Sequence, residues 1–351
     1  MIKVFDPEIT FEDKKAVADC LTRGELSGRS PIVGEFERAF ADYCGVKHAI
    51  SVNSGSSALF LSLVALGLSR FAKVAVPTFG YIAVPNAVVQ AGYTPVFIDV
   101  EPTNGNIDLW ALEREAKEGI DAVVVIHTYG FPVNMGALMR LSSKYRFLVI
   151  EDAAEAHGAE SDGRKVGSIG DIGCFSFFAN KIITTGEGGM ITTDDDIIAD
   201  TARSLRDQYN GTKRYYHEDM GYSLCMPALS ASLGLSQLAR IEAIIARKRE
   251  IAARYKTIKK VEHLFPDNGT DPVYWAYGIL HDCRDELMDY LAQAGIETRP
   301  FFTAYHNNPF YRGNPIAPVA EYLQNNGLYL PSSHTLTNDE IEYVIETIRT
   351  F

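Results

Sequence analysis

Three short stretches of the sequence gather the residue types that chemistry needs. In CFSFFANKIITTGEGGM, Lys181 stands between two apolar, strand-like runs, with Ser176 before it and the glycine-rich turn 186–189 after it. A lysine in an apolar setting loses the hydration that favours its ammonium, and its free amine can attack a carbonyl to form a Schiff base. In FLVIEDAAEAHGA, Glu151 and Asp152 close an apolar strand at its carboxyl end, the edge where open α/β sheets bind ligands. In ISVNSGSSALFLSLVALG a strand runs into a turn of Asn53, Ser54, Gly55, Ser56 and Ser57 and then an apolar helix. Backbone N–H groups and hydroxyls therefore collect at a helix start, a setting that suits a phosphate. Read singly, each stretch has a plainer account: a solvated lysine, an aspartate capping the next helix, a serine N-cap. Read together, a phosphate cradle, a strand-end carboxylate and an interior lysine are the three groups that pyridoxal 5′-phosphate (PLP) requires. The glycine-rich alternatives fail on spacing, because no G-x-x-x-x-G-K-[ST] occurs and GSIGDIG (167–173) is not a dinucleotide fingerprint.

The elements that must position these groups show in the hydrophobic pattern. KVAVPT (73–78), PVFIDV (95–100), AVVVIH (122–127), FLVIED (147–152), GCFSFF (173–178) and GMITTD (189–194) read as buried strands. IAVPNAVVQAG, LWALEREAKEG and MGALMRLSSKY between the earlier ones are long enough for crossover helices, so the fold class is α/β, with a mostly parallel sheet covered on both faces. From Pro227 to Lys260, Leu229, Leu233, Leu238, Ile241 and Ile245 recur at helical spacing, which predicts one long helix leading out of the main domain. Beyond it VYWAYGIL, DELMDYLAQAG and NDEIEYVIETIRT predict a smaller α+β domain. The expected division is a large cofactor domain over 1–245 and a small C-terminal domain over 246–351.

Composition bounds the partners. The 351 residues are 46% hydrophobic and 22% charged, enough for a large core, and the formal charge of −12 repels nucleic-acid phosphates and anionic lipid. Nucleic acid is not an expected partner. Five cysteines, Cys20, Cys44, Cys174, Cys225 and Cys283, form no C-x-x-C pair, so no disulfide framework and no metal site is expected, as in a reducing cytosol. The uncharged run 49–69 is half polar, and its apolar part, 58–68, suits a core helix rather than a membrane span. A cytoplasmic protein without a membrane partner is the expectation.

The motifs, taken in order, resemble the DegT/DnrJ/EryC1/StrS family of PLP-dependent nucleotide-sugar aminotransferases. The likeness runs from LSGRSPIVGEFERAFADYCGVKHAI through PTFGYIAVPNAV, PVFIDV, VIHTYGFPVNM, EDAAEAHGA, GRKVGSIGDIGCFSFF and NKIITTGEGGM to GIETRPFF and LYLPSS, nearly the whole chain. It implies the fold type I aminotransferase architecture. It implies further that Lys181 is the Schiff-base lysine, Asp152 the partner of the pyridine nitrogen, Tyr81 the aromatic on the cofactor ring and Glu155 a neighbour of the ring hydroxyl. Ser176 with Gly55, Ser56 and Ser57 would take the phosphate. Where the family usually reads GYNYRM, with its asparagine reaching the cofactor phosphate of the neighbouring subunit, this chain reads GYSLCM, placing Ser223 and Cys225 at the two polar positions. The usual Gly-Pro-Gly-Asp turn is SRFA (69–72). GIETRPFFTAYHNNPFY resembles the substrate-facing segment, so Arg299 and His306 are candidates for sugar or diphosphate contacts. Lys213 and Arg214 form a basic pair suited to a nucleotide diphosphate.

The activity implied by this resemblance is a two-stage transamination in a homodimer. L-glutamate gives its amino group to the cofactor, which passes it to the keto carbon, C4 foremost, of a nucleotide-linked 4-keto-6-deoxyhexose for surface polysaccharide. GDP ranks ahead of dTDP and UDP. The C3-dehydratase branch of the fold carries histidine where this chain has Lys181, which argues against it. A dTDP- or UDP-linked acceptor, amination at C3, and a non-catalytic sugar-nucleotide binder stay open.

Overall fold

The computed structural model describes residues 1–209, 213, 215–264, 270–312 and 317–351. In chain order the first elements are α1 (Phe11–Thr22), α2 (Pro31–Cys44), β1 (His48–Val52), α3 (Gly55–Ala65), β2 (Lys73–Pro77), α4 (Ala83–Gln90) and β3 (Thr94–Ile98). There follow α5 (Leu109–Glu118), β4 (Ala122–Ile126), α6 (Met135–Tyr145), β5 (Leu148–Asp152), the hairpin β6 (Glu160–Ser161) and β7 (Arg164–Lys165), β8 (Ile172–Ser176), β9 (Gly189–Thr193) and α7 (Asp196–Arg206). Seven strands form one sheet in the order β1-β9-β8-β5-β4-β2-β3, in which β9 alone runs antiparallel to its neighbours. All six strands expected from the apolar runs are present. Ile126 pairs with Asp152, and Asp152 with Cys174, so β4 and β5 end side by side while β8 runs on to Ser176. One apolar layer under α3, α4 and α7 centres on Val74, Val76, Val124 and Ile150, and the opposite layer under α5 and α6 on Ala75, Val123, Val125 and Val149. Alternate residues of each strand feed the two layers, as the period of two requires.

The single helix expected over Pro227–Lys260 is instead two, α8 (Ala228–Leu238) and α9 (Ile241–Tyr255), bent by 61°. Arg240 sits at the break with φ −118° and ψ 11°, and its guanidinium donates to Asp13 Oδ2 at 2.9 Å, to the Glu8 carbonyl at 2.9 Å and to the Glu8 carboxylate. Gln237 donates to the same Asp13 oxygen at 2.7 Å. The apolar period continues through the break, which is why the pattern alone does not reveal it; the polar cluster that folds α9 away is assembled from residues more than 220 positions apart in the chain. Residues 245 and 246 lie inside α9.

A four-stranded antiparallel sheet follows, in the order β10 (Glu262–His263), β11 (Tyr277–Leu280), β13 (Gly327–Leu330) and β12 (Arg299–Pro300). With it go α10 (Arg284–Gln293) and α12 (Asn338–Thr350), packed with the second half of α9 around Tyr255, Tyr277, Leu287 and Ile341, and α11 (Pro318–Asn326), whose Ala320 and Leu323 join the core that holds Trp275 and Tyr329. The amino-terminal residues join this unit, for Ile2 bridges Ile296 and the Val4 N–H reaches Glu297 Oε2 at 3.0 Å. Among the described residues no single helix is long and apolar enough to cross a membrane.

Candidate active site

A cleft of about 380 Å³ opens at the carboxyl ends of the parallel strands, the edge that the strand-end carboxylate marked. Gly55, Ser56, Tyr81, Asp152, Glu155, Ser176, Lys181 and Arg299 all line it. They arrive from five separate pieces of chain: the start of α3, the loop after β2, the end of β5 with its following turn, the β8–β9 connection, and β12.

The α3 start is built by its cap. Ser54 Oγ accepts from the Ser57 N–H at 3.1 Å, and Ser57 Oγ donates to Asn53 Oδ1 at 2.6 Å. Ser57 is thus committed to shaping the turn and does not line the cleft. The N–H groups of Gly55 and Ser56 have no intrahelical acceptor, as at any helix start. A Cβ at Gly55 would stand 2.6 Å from Ser176 Cβ, so helix and strand approach as closely as they do only because the residue is glycine. Two N–H groups and the Ser176 hydroxyl therefore border one space, a donor set for a phosphate.

Asp152 is held by its backbone. Its carbonyl accepts from the His127 N–H at 3.1 Å, and the next N–H, of Ala153, donates to the Cys174 carbonyl at 2.8 Å. The side chain accepts one hydrogen bond, from the Ala154 N–H at 3.0 Å. Burial pushes its pKa up to about 6; the Ala154 N–H opposes that shift, Glu155 adds to it, and Lys181 and His127 oppose it. A buried carboxylate with so few donors is suited to a cationic partner.

Lys181 is nearly buried and its Nζ donates to Glu155 Oε1 at 3.2 Å. The same nitrogen lies 4.3 Å from the centroid of the Trp275 ring, within cation–π reach. Glu155 takes its second contact from the Tyr129 N–H at 3.0 Å, which Tyr129 presents from a left-handed conformation, φ 55°. Trp275 Nε1 donates to the Asn180 carbonyl at 2.7 Å, so the indole is tied to the residue just before Lys181. Trp275, Phe302 and Tyr329 make the aromatic wall; none of the three was singled out as a site residue, and VYWAYGIL, which carries Trp275, reads simply as a strand.

Of the other expected substrate and partner contacts, only Arg299 borders the cleft among the described residues. Arg299 is exposed at the rim, bonded to Glu297 Oε1 at 3.1 Å. His306 is buried outside the cleft, its Nε2 2.8 Å from Glu321 Oε1. Ser223 is exposed and bridges Asp207, and Lys213 is exposed with its Nζ 5.5 Å from the Tyr216 ring centroid. Arg214 lies outside the described residues. His157, the last polar residue of EDAAEAHGA, is buried among Phe40, Phe175 and Phe177, and burial pushes its pKa down to about 3, so the ring is neutral.

Behind Asp152 stands a pair that sequence spacing does not reveal. His127 Nδ1 accepts from the Val133 N–H at 3.0 Å, so Nε2 carries the proton donated to Glu151 Oε2 at 3.0 Å. Glu151 also accepts from the N–H groups of Gly167, Ile169 and Gly170 at 2.6–2.8 Å. Burial raises its pKa, but the His127 N–H and these backbone donors outweigh burial and hold the carboxyl below its ordinary value. His127 and Glu151 lie 24 residues apart, His127 just beyond the end of β4 and Glu151 on the neighbouring parallel strand β5.

PLP fits the groups that line the cleft: a phosphate donor set made possible by Gly55, a carboxylate with one backbone partner, and a nearly buried amine beside both. Comparisons with known proteins agree. Residues 7–349 match the DegT/DnrJ/EryC1/StrS aminotransferase family. The chain is 36% identical to a GDP-perosamine synthase of Vibrio cholerae, over 100% of this chain and 99% of that one. It is 38% identical to a GDP-perosamine synthase of Caulobacter vibrioides, over 99% and 97%. The Helicobacter pylori aminotransferase PseC, involved in biosynthesis of pseudoaminic acid, superposes with a TM-score of 0.95 at 26% identity, covering 99% of this chain and 98% of that one. The chain belongs to the DegT/DnrJ/EryC1/StrS aminotransferase family and is a PLP-dependent transaminase.

Proposed function

We propose that the chain transfers an amino group from L-glutamate to the C4 keto carbon of a GDP-linked 4-keto-6-deoxyhexose, giving a perosamine-type amino-sugar nucleotide for surface polysaccharide. The observation that carries the catalytic reading is the convergence of Lys181, Asp152 and the Gly55–Ser56–Ser176 donor set on one cleft. The ranking of GDP first rests on relatives named GDP-perosamine synthase that match end to end.

In this reading the Gly55 and Ser56 N–H groups and Ser176 Oγ hold the cofactor phosphate. The Asp152 carboxylate would pair with the pyridine nitrogen and keep its proton in place. Tyr81 would cover the ring from the cleft mouth, and Glu155 would neighbour the ring hydroxyl. Bound PLP supplies an aldehyde that carries the amino group and a ring that accepts an electron pair. Lys181 Nζ would hold the cofactor covalently; once freed it would carry the proton from the donor Cα to the cofactor, and in the second half-reaction carry a proton from the cofactor to the sugar carbon being aminated. Glu155 Oε1, 3.2 Å from that nitrogen, orients it between these tasks. Trp275, Phe302 and Tyr329 exclude water from the same nitrogen. Arg299 at the rim is placed to meet the diphosphate, and Lys213 and Arg214 add positive charge for it. His306 supports the segment bearing Phe302 through its bond to Glu321.

The active form is a homodimer in this reading, with Ser223 on the exposed GYSLCM segment toward the partner's phosphate; serine being short, the contact would run through a water. A strictly monomeric active protein in sedimentation at assay concentration would remove this part. The acceptor is tested by kcat/KM for 4-keto and 3-keto sugars on GDP, dTDP and UDP with glutamate as donor. The GDP-linked 4-keto sugar should lead by at least ~100-fold, because a base left without its hydrogen bonds costs more than a missing apolar contact. A dTDP- or UDP-sugar ahead by that margin would reject the acceptor and leave the transaminase.

A further inference from the structure

We propose that Tyr305 is a positioning residue that fixes Tyr81 at the mouth of the cleft. The proposal rests on the reading of Tyr81 as the ring that covers the cofactor. Tyr81 itself is poorly anchored by its side chain: the residue is 62% exposed, and its ring meets Phe302 edge-on at 6.3 Å. Where the ring sits is therefore decided by its backbone, and that backbone is held by a residue 224 positions away.

Tyr305 opens the short 3₁₀ turn Tyr305–Asn307, is fully buried, and does not line the cleft. Its hydroxyl donates to the Tyr81 carbonyl at 3.0 Å and its own N–H donates to the Thr78 carbonyl at 2.9 Å. One residue thus pins both ends of the loop Thr78–Tyr81. Its ring is fixed edge-on against Phe97 at 6.1 Å. Burial first, then the charges of Asp152 and Glu155, hold the phenol pKa well above 10, so the hydroxyl stays a donor.

Gly80 shows how closely the loop is fitted. Its φ is +145°, and a Cβ there would stand 2.4 Å from Ile126 Cδ1 and 3.0 Å from the Tyr305 hydroxyl oxygen. Only glycine leaves that oxygen room to reach the next carbonyl. Tyr305 lies in the segment that also bears Phe302, so the Thr78–Tyr81 loop and one residue of the aromatic wall are tied to the same stretch of chain.

The test is Tyr305→Phe, which deletes one hydroxyl and keeps the ring, measured beside Tyr81→Ala and Gly80→Ala in the full-length protein. Tyr305→Phe should raise the PLP dissociation constant about 3- to 10-fold, the range of one lost hydrogen bond. It should also lower the induced circular dichroism of the cofactor band toward the Tyr81→Ala value. The cofactor-free protein should melt within about 2 °C of wild type. Gly80→Ala should give the same cofactor signature. A Tyr305→Phe protein that matches wild type in affinity and dichroism, while Tyr81→Ala loses both, overturns the proposal; so does one that fails to fold, which would make the hydroxyl a fold determinant. If Tyr81→Ala keeps both signals, the stacking role of Tyr81 has failed instead, and the proposal falls with it.

Discussion

Replacing Asp152 by asparagine should make the cofactor-free protein more stable and the enzyme nearly inactive. Burial lifts the Asp152 carboxyl from an ordinary 3.8 to about 6 in the folded chain. Two pKa units at ~1.4 kcal/mol each place the cost of holding the ionised form at about 3 kcal/mol above pH 6. The sign follows from proton counting: between pH 4 and 6 the native state keeps a proton that the unfolded chain has lost, so stability falls as pH rises through that window. Asparagine cannot ionise, yet its carbonyl can still accept from the Ala154 N–H. For 351 residues the unfolding entropy is ~0.7 kcal/mol/K, so the variant should melt about 4 °C higher at pH 7.5. The gain should halve near pH 5 and be nearly gone at pH 4. Adding PLP should reverse the order, since wild type gains the linkage term of a bound ligand and the variant lacks the charge facing the pyridine nitrogen. The loss in steady-state assays should lie mainly in kcat. Scanning calorimetry at three pH values, with and without PLP, reads all of this. A cofactor-free variant no more stable than wild type at pH 7.5, or a gain that does not shrink toward pH 4, would refute the reasoning.

Borohydride reduction of the PLP-loaded enzyme followed by peptide mapping should place the label on Lys181; a label on any other lysine sinks the assignment. Lys181→Ala should bind PLP and the ketosugar while losing turnover, read by equilibrium dialysis beside a rate assay. Glu151→Gln should cost about 2–4 kcal/mol at pH 7, because an amide cannot accept from all four donors now around the carboxylate. The Glu151 pKa is depressed on folding, so its stability is present above the ordinary glutamate value and lost below it. The gap between variant and wild type should therefore narrow as pH falls toward 3, the opposite of the Asp152 case; a gap constant with pH would count against the carboxylate's role.

The central sheet was legible because its strands are nearly all apolar, as strands covered on both faces must be. Lys181, Asp152 and the α3 start were legible for a related reason: each polar group interrupts or ends an apolar run. What closes the cleft was not. Trp275 belongs to an apolar stretch whatever it faces, and its contact with Lys181 spans 94 residues. The break at Arg240 escaped because it leaves the 3.6-residue period undisturbed and depends on Glu8 and Asp13. Ser57, expected among the phosphate donors, shares residue type with its neighbours, and only the cap geometry separates a hydroxyl that builds the turn from one that borders the cleft.

The consecutive pair Glu151–Asp152 shows how a strand turns two similar residues to different ends. Successive side chains of a strand leave opposite faces. Glu151 goes to the face where the Gly167–Gly170 turn and His127 supply four donors, enough to outweigh burial and keep it ionised. Asp152 goes to the cleft with one donor, and burial wins. The first carboxylate is satisfied by the protein and clamps the end of β5 to its neighbours. The second is left short of partners at the position that the clamp fixes. A carboxylate so placed favours a ligand that brings its own positive charge, and that preference comes from what Glu151 takes and Asp152 is denied.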